Sequence, residues 1–148
     1  MRIWIDWITS RFIPSYHRFL QKQGDVKTER KEFLDLLKEF TKEMTPQGPY
    51  FFGSEPMMID LMLAPWAVRM WVFDHYKGGL NMPKEGEAGE DEKLWTRWRK
   101  WARAIEERDS VKKTLSEKQH YLQIYQRYAD DKAQSEMAKN TRSGRGVP

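Results

Sequence analysis

The sequence predicts an all-α fold, a small helical bundle, on three observations. From Met57 to Phe73 only Asp60, Pro65 and Arg69 depart from an apolar run. The stretches around it place apolar residues at the three- and four-residue spacing of helices. No stretch alternates with the period of two that a strand requires, and Tyr50-Phe51-Phe52 is too short to count against this. A helix apolar on nearly every face must be wrapped by protein or lipid. A membrane span needs about 20 apolar residues, and this run is short and interrupted, so it is expected to be the central helix of the bundle.

Taken in order, residues 1 to about 22 are expected to be helical. Ile3, Trp4, Trp7, Ile8 and Phe12 form an apolar stripe, with Arg2, Asp6 and Arg11 off it. Pro14 then kinks or interrupts the helix ahead of Tyr16, Phe19 and Leu20. No capping residue precedes the stripe, which reads as a chain entered part-way through something larger. Ile3-Trp4-Ile5-Asp6-Trp7 alternates with charge and lacks a small-residue cleavage site, so no signal peptide is expected and the cytoplasm is the default compartment. After the turn at Gly24-Asp25, a second helix over about 26 to 44 carries Phe33, Leu36, Leu37, Phe40 and Met44 on its core face. Thr45-Pro46-Gln47-Gly48-Pro49 ends it.

The central helix starts after Pro56. Asp60 would face the open N–H groups of its first turn and act as a helix-capping carboxylate. Its capping-box partner position is Met57, so half of that box is missing. A catalytic role for Asp60 is the alternative. Pro65 removes a backbone donor and should bend the helix. Met82 to Glu92, with Pro83, Gly86 and Gly89 among acids, reads as a surface loop. Leu94 to about Glu107 is a helix with Trp95, Trp98, Trp101 or Ala102, and Ile105 on one face. Asp109-Ser110 can cap a short helix with Val111 and Leu115. A last helix, about 117 to 138, carries Tyr121, Ile124 or Tyr125, and Tyr128 down one side. Residues 1–138 thus form one helical domain and 139–148 a basic tail, ordered only if it docks.

Composition excludes several chemistries. The chain has no cysteine, hence no disulfide, zinc-thiolate site or cysteine nucleophile of its own. His17, His75 and His120 sit on three different elements, so no metal site is expected. No phosphate-binding, dinucleotide or serine-nucleophile motif occurs. With 26 Lys and Arg against 22 Asp and Glu the net charge is +4. The aromatic-basic stretch 95–103 could bind nucleic acid, but flanking acids at Glu90, Asp91, Glu92, Glu106 and Glu107 oppose phosphate. Neither a nucleic-acid nor a membrane partner is expected.

The order of elements and several strings resemble the C-terminal helical domain of glutathione transferases, in particular the omega class and its fungal members. The strings are Gly48-Pro49-Tyr50-Phe51-Phe52-Gly53, then Ile59-Asp60-Leu61-Met62-Leu63-Ala64-Pro65-Trp66 with Arg69. Lys93-Leu94-Trp95, Ser110-Val111 to Thr114, and Ser116-Glu117-Lys118 with Tyr121 to Tyr128 follow. Together they run through nearly the whole chain, and the tail looks like the ending of fungal members. The resemblance implies an enzyme of two domains. A thioredoxin-like domain would bind glutathione and supply a catalytic cysteine, while the helical domain forms the second-substrate site. This chain resembles only the latter, so no catalytic residue and no cofactor is assigned to it, and glutathione is implied for the complete enzyme.

Arg69, Tyr121 and Tyr128 match positions that line the second-substrate pocket in omega enzymes. Tyr121 and Tyr128, about two turns apart, share a face, and Trp66, Arg69 and Phe73 are expected to share another. Trp7, Arg11 and Tyr16 are further candidates, because the family's corresponding helix borders the pocket. Aromatic walls with one arginine would suit a flat apolar or aromatic substrate bearing an anionic group. The alternative is that Arg69 pairs with a carboxylate inside the bundle and the tyrosines simply pack. Two functions remain. One is the substrate-binding domain of a glutathione-dependent thiol transferase or reductase, of the kind used in detoxification, inactive without the thioredoxin-like domain. The other is a non-catalytic helical module that binds a small apolar ligand or a protein, a second copy included.

Overall fold

Pro14 does not stop the first helix. The computed structural model, which describes residues 2–148, runs from α1 (Arg2–Trp7) through a π-helical segment (Ile8–Phe12) into α2 (Ile13–Gln21). Pro14 lies at the start of α2, where its missing N–H costs least. There follow α3 (Lys27–Lys42), α4 (Met58–Ala67), α5 (Trp71–Tyr76), a 3₁₀ turn (Gly89–Asp91), α6 (Glu92–Glu107), α7 (Asp109–Lys112), α8 (Lys118–Ala129) and α9 (Glu136–Arg142). Among the described residues there is no strand, only an isolated antiparallel bridge between Tyr50 and Gly53. The all-α expectation holds.

The chain divides into two compact units: Met1–Phe33, Met70–Leu80 and Ser116–Pro148 form one, Leu34–Arg69 and Asn81–Leu115 the other. In the first, the core is aromatic. Phe19 stacks on Phe73 at 4.2 Å between ring centroids and 14° between planes. Tyr16 and Phe33 pack on the same Phe73 ring at 4.7 and 5.2 Å. Ile8, Phe12 and Leu20 fill in beside them, fully buried. The short α5 is held by its end: Arg30 donates through Nη2 to Lys77 O (2.7 Å) and through Nε to Gly79 O (2.9 Å). Lys77 Nζ reaches Ala129 O at the end of α8 (3.0 Å), and Tyr76 Oη donates to Leu122 O (2.7 Å). Carbonyls that a helix end leaves open are thus closed by side chains.

The second unit is organised differently. Asp60, with no exposed surface, accepts three hydrogen bonds. Met57 N–H donates at 2.8 Å, which is the Asp60 half of a capping box, Phe51 N–H at 2.9 Å, and Trp101 Nε1 at 2.7 Å. One carboxylate thus ties the start of α4 to the preceding turn and to α6. Arg97 secures the other side of that turn, donating to Thr45 O, Pro49 O and Tyr50 O at 3.0, 3.1 and 2.7 Å. The turn demands glycine at position 48. Its φ is +76°, and a Cβ there would lie 2.1 Å from Gly53 O. Around these bonds, Phe40, Phe51, Trp98 and Trp101 form an aromatic cluster with centroids 4.8 to 6.5 Å apart.

Three expectations are corrected, and the surface loop before α6 gains detail. Ile3 is 81% exposed, so the buried stripe of the first helix begins at Trp7. The central helix is neither one piece nor wrapped on every side. It breaks at Val68-Arg69-Met70, three residues after Pro65, while Met58 and Leu61 stay exposed. The turn before α6 is shaped by Glu92, whose carboxylate accepts from Gly86 N–H (2.9 Å) and Ala88 N–H (3.0 Å). These bonds hold it below the usual carboxylate range. Finally, the last helix ends at Ala129. Asp131 adopts φ +56°, which no α-helix continues, and the chain resumes helically at Glu136 under a Ser135 cap. That second piece runs past 138 to Arg142, which binds Asp131 at 3.2 Å.

Candidate functional site

In the second unit, the outer face of α4 and the segment from Ser110 to Leu115 enclose a groove of about 460 Å³. Leu61, Ala64, Pro65 and Val68 form one wall, and Val111, Thr114 and Leu115 the other. Local sequence explains why it is open. Pro65 cannot donate to the carbonyl four residues back. Beyond it the last turn tightens, with Arg69 N–H bonding Trp66 O (3.2 Å), the three-residue spacing of a 3₁₀ turn. That turn places the half-buried Arg69 among the groove's lining residues, where it is the only charged one. Trp66 lies half-exposed one step earlier on α4.

The hydroxyls present are committed locally. Thr114 Oγ1 donates to Val111 O (2.7 Å), and Ser110 Oγ accepts from Arg108 Nε (3.4 Å). No histidine, cysteine or carboxylate lines the groove. It can bind, through apolar contact and one guanidinium, but it carries no nucleophile or general base. Among the described residues no group of three His, Asp or Glu side chains could hold a metal.

In the first unit, Tyr121, Tyr125 and Tyr128 form a half-exposed aromatic row along α8, with successive centroids 6.4 and 6.3 Å apart. Trp71 of α5 extends it, 6.3 Å from Tyr121 and beneath Lys118 Nζ at 5.1 Å. The tyrosine hydroxyls are engaged: Tyr121 Oη accepts from Ser116 N–H (3.0 Å), and Tyr128 Oη is hydrogen-bonded to Ser135 Oγ (2.8 Å). Below the row lies His17, 5.4 Å from the Tyr128 ring. Burial holds its pKa at about 4, against an ordinary 6.5, with a hydrogen bond to Gln21 opposing part of that shift.

The C-terminal domain profile of glutathione S-transferases matches residues 14–104. The chain belongs to that family. This domain is similar in structure to glutathione transferase Omega 3C from Trametes versicolor. The sequence identity is 32% and the TM-score 0.70, over 90% of this chain and 53% of that one. The chain therefore spans about half the length of that enzyme. No curated protein sequence matches it.

The candidate residues of the domain divide by position. Trp66 and Arg69 stand together at the end of α4. Tyr121 and Tyr128 share the α8 row, as their spacing predicts. Arg11 lies over the Trp7 ring at 6.0 Å, and the buried Trp7 packs on Phe12 at 6.1 Å. Tyr16 and Phe73 have no exposed surface and belong to the aromatic core. Neither can touch a ligand without displacing that core. Phe73 left the face of Trp66 and Arg69 because the helix breaks between Arg69 and Trp71, and the register ends there. The sequence reading named only Arg69 among the groove's lining residues, left Tyr125 as an alternative to Ile124 beside Tyr121 and Tyr128, and did not place Trp71 or Lys118 at the row. Only Tyr125, one helical turn from Tyr121 and Tyr128, carried a readable signal.

Proposed function

We infer that this domain forms the second-substrate wall of an omega-like, glutathione-dependent thiol transferase or reductase. The Arg69 groove receives a flat apolar compound with an anionic group. The observation that carries this reading is an apolar groove with a single arginine, Arg69, among its lining residues. The 32% identity to an omega-class structure supports the class. The thiolate and the glutathione site belong to a thioredoxin-like domain, because this chain has no cysteine to supply them. Such chemistry needs reduced thiols, which fits a cytoplasmic setting and a role in detoxification.

The test has two parts. Calorimetric titration with glutathione and a thiol-transferase assay on the chain alone are expected to give neither binding nor turnover; turnover would overturn the division of labour. Titration with 1-naphthoate, followed by amide NMR, is expected to shift Val68, Arg69 and Thr114. Arg69→Ala should weaken binding about tenfold, as for loss of one charge-assisted contact. Shifts confined to other residues would sink the groove's role.

A second reading rests on Met57, Met58, Leu61 and Leu115, all large, apolar and at least 39% exposed. Such a face suits a protein surface, either the thioredoxin-like domain or another partner of a non-catalytic module. Met58→Glu, on an exposed side chain outside the groove lining, separates the readings. It should abolish association with an added omega-type thioredoxin-like domain, whereas Arg69→Ala should not.

A further inference from the structure

The start of α4 lacks a capping oxygen. Met57 holds the N-cap position with the extended backbone usual there, φ −118° and ψ 176°. Its side chain turns toward the N–H of Asp60, where a complete capping box places a hydroxyl. A thioether is a weak acceptor, and no side-chain hydrogen bond closes that end. The N–H of Ile59, in the same first turn, has no hydrogen bond among the described residues. Met57 is also accessible. Among the described methionines only Met57 and Met58 are exposed, at 40% and 55%. Met44 and Met70 are buried, and Met62, Met82 and Met137 are half-buried. The chain has no cysteine, so methionine supplies all of its sulfur.

We propose that Met57 is a modification site for hydroperoxides, and that its sulfoxide oxygen supplies the missing cap and strengthens the start of α4. One oxygen atom passes from the peroxide to Sδ, so the S=O bond forms as the O–O bond breaks. Sulfur gives up two electrons, the peroxide is reduced to water or an alcohol, and the protein surrenders no proton. A methionine sulfoxide reductase with a dithiol reverses the step, releasing water and leaving a disulfide on the reductant. Methionine has rotatable bonds enough to carry the new oxygen to Ile59 or Asp60 N–H. Oxidation of a buried methionine disrupts packing, but Met57 is exposed and has little packing to lose. The gained bond is the reciprocal of the one already made by Met57 N–H to Asp60 Oδ2 at 2.8 Å.

The test treats the full chain with limiting hydrogen peroxide, locates oxidised residues by peptide mass spectrometry and follows thermal unfolding by circular dichroism. Met57 and Met58 are expected to oxidise before Met44 and Met70. In Met58→Leu, which removes the neighbouring exposed methionine, oxidation should raise Tm by about 2–4 °C, the effect of a typical cap. A methionine sulfoxide reductase should return Tm to its starting value. Met57→Leu should show no rise on oxidation, and Met57→Ser should melt higher than the unchanged chain without any peroxide. Four results would each overturn the proposal: Met57 oxidising no faster than the buried methionines, an unchanged or lower Tm in oxidised Met58→Leu, the same rise in Met57→Leu, or no gain in Met57→Ser.

Discussion

The two units reach stability by different physics. One packs Tyr16, Phe19, Phe33 and Phe73 into an aromatic cluster, with Arg30 and Lys77 closing helix ends. The other places a buried carboxylate at its centre and arranges three donors around it. Dispersion is diffuse, so an aromatic cluster degrades in proportion to the volume removed. A buried carboxylate with three donors is nearly all-or-none, because each orphaned donor carries its own desolvation cost.

The largest expected effect comes from breaking that hub. Asp60→Ala leaves Trp101 Nε1 and Phe51 N–H buried without a partner, at about 1–3 kcal/mol each, and removes the cap on Met57 N–H for about 1 kcal/mol more. The sum, roughly 5 kcal/mol, is comparable with the whole stability of many domains. Urea unfolding followed by tryptophan fluorescence should show it, and a cost under about 1 kcal/mol would refute the hub. Phe73→Ala in the other unit should cost about 4 kcal/mol by the cavity it leaves, and Phe73→Leu distinctly less. If the leucine variant is as damaged as the alanine one, the graded behaviour claimed for aromatic packing is wrong.

The third effect is a pH dependence confined to the aromatic unit. His17 titrates at about 4 when folded and near 6.5 when unfolded. Above 6.5 both states hold it neutral and it contributes nothing to the slope. Below 6.5 the unfolded chain takes up the proton first, so stability falls until about pH 4 and then levels, by at most roughly 3 kcal/mol. His17→Gln should remove that part of the acid slope in a comparison of the two unfolding curves, leaving the part due to carboxylates. Smallest is Trp101→Phe, which keeps most of the ring and removes one donor, for about 1.5 kcal/mol. An effect as large as that of Asp60→Ala would mean that Trp101 packing, and not the carboxylate, holds the unit together.

Much of this was readable before any coordinates, for physical reasons. Trp95, Trp98, Trp101 and Ile105 fall on one face at helical spacing, and all four are buried on α6. Asp60 was recognisable as a helix-start carboxylate because a charge in an apolar run needs donors, and the nearest are open N–H groups. Its bonds to Phe51 and Trp101 were not readable, since they depend on segments brought together only by folding. The break at Asp131 was hidden because aspartate adopts positive φ only when the surroundings require it. The groove suffered twice from one cause. Treating Met57 to Phe73 as a single helix put Phe73 on the face of Arg69, and it obscured the turn that gives Arg69 its position.

The π-helical segment before α2 amounts to one residue more than a regular helix would need between Trp7 and Ile13. Ile13 N–H bonds Ile8 O, five residues back. Removing a single residue from Ile8–Phe12 would let the ordinary ladder form, and α2 with its Phe19 and Leu20 could keep its place. Everything upstream would then rotate by about 100° about the helix axis. Trp7 would leave the Phe12 ring and Arg11 would lose the face it covers. The orientation of the N-terminal turn is therefore encoded by residue count and not by residue type, and it is a setting that a one-codon deletion would change in a single step.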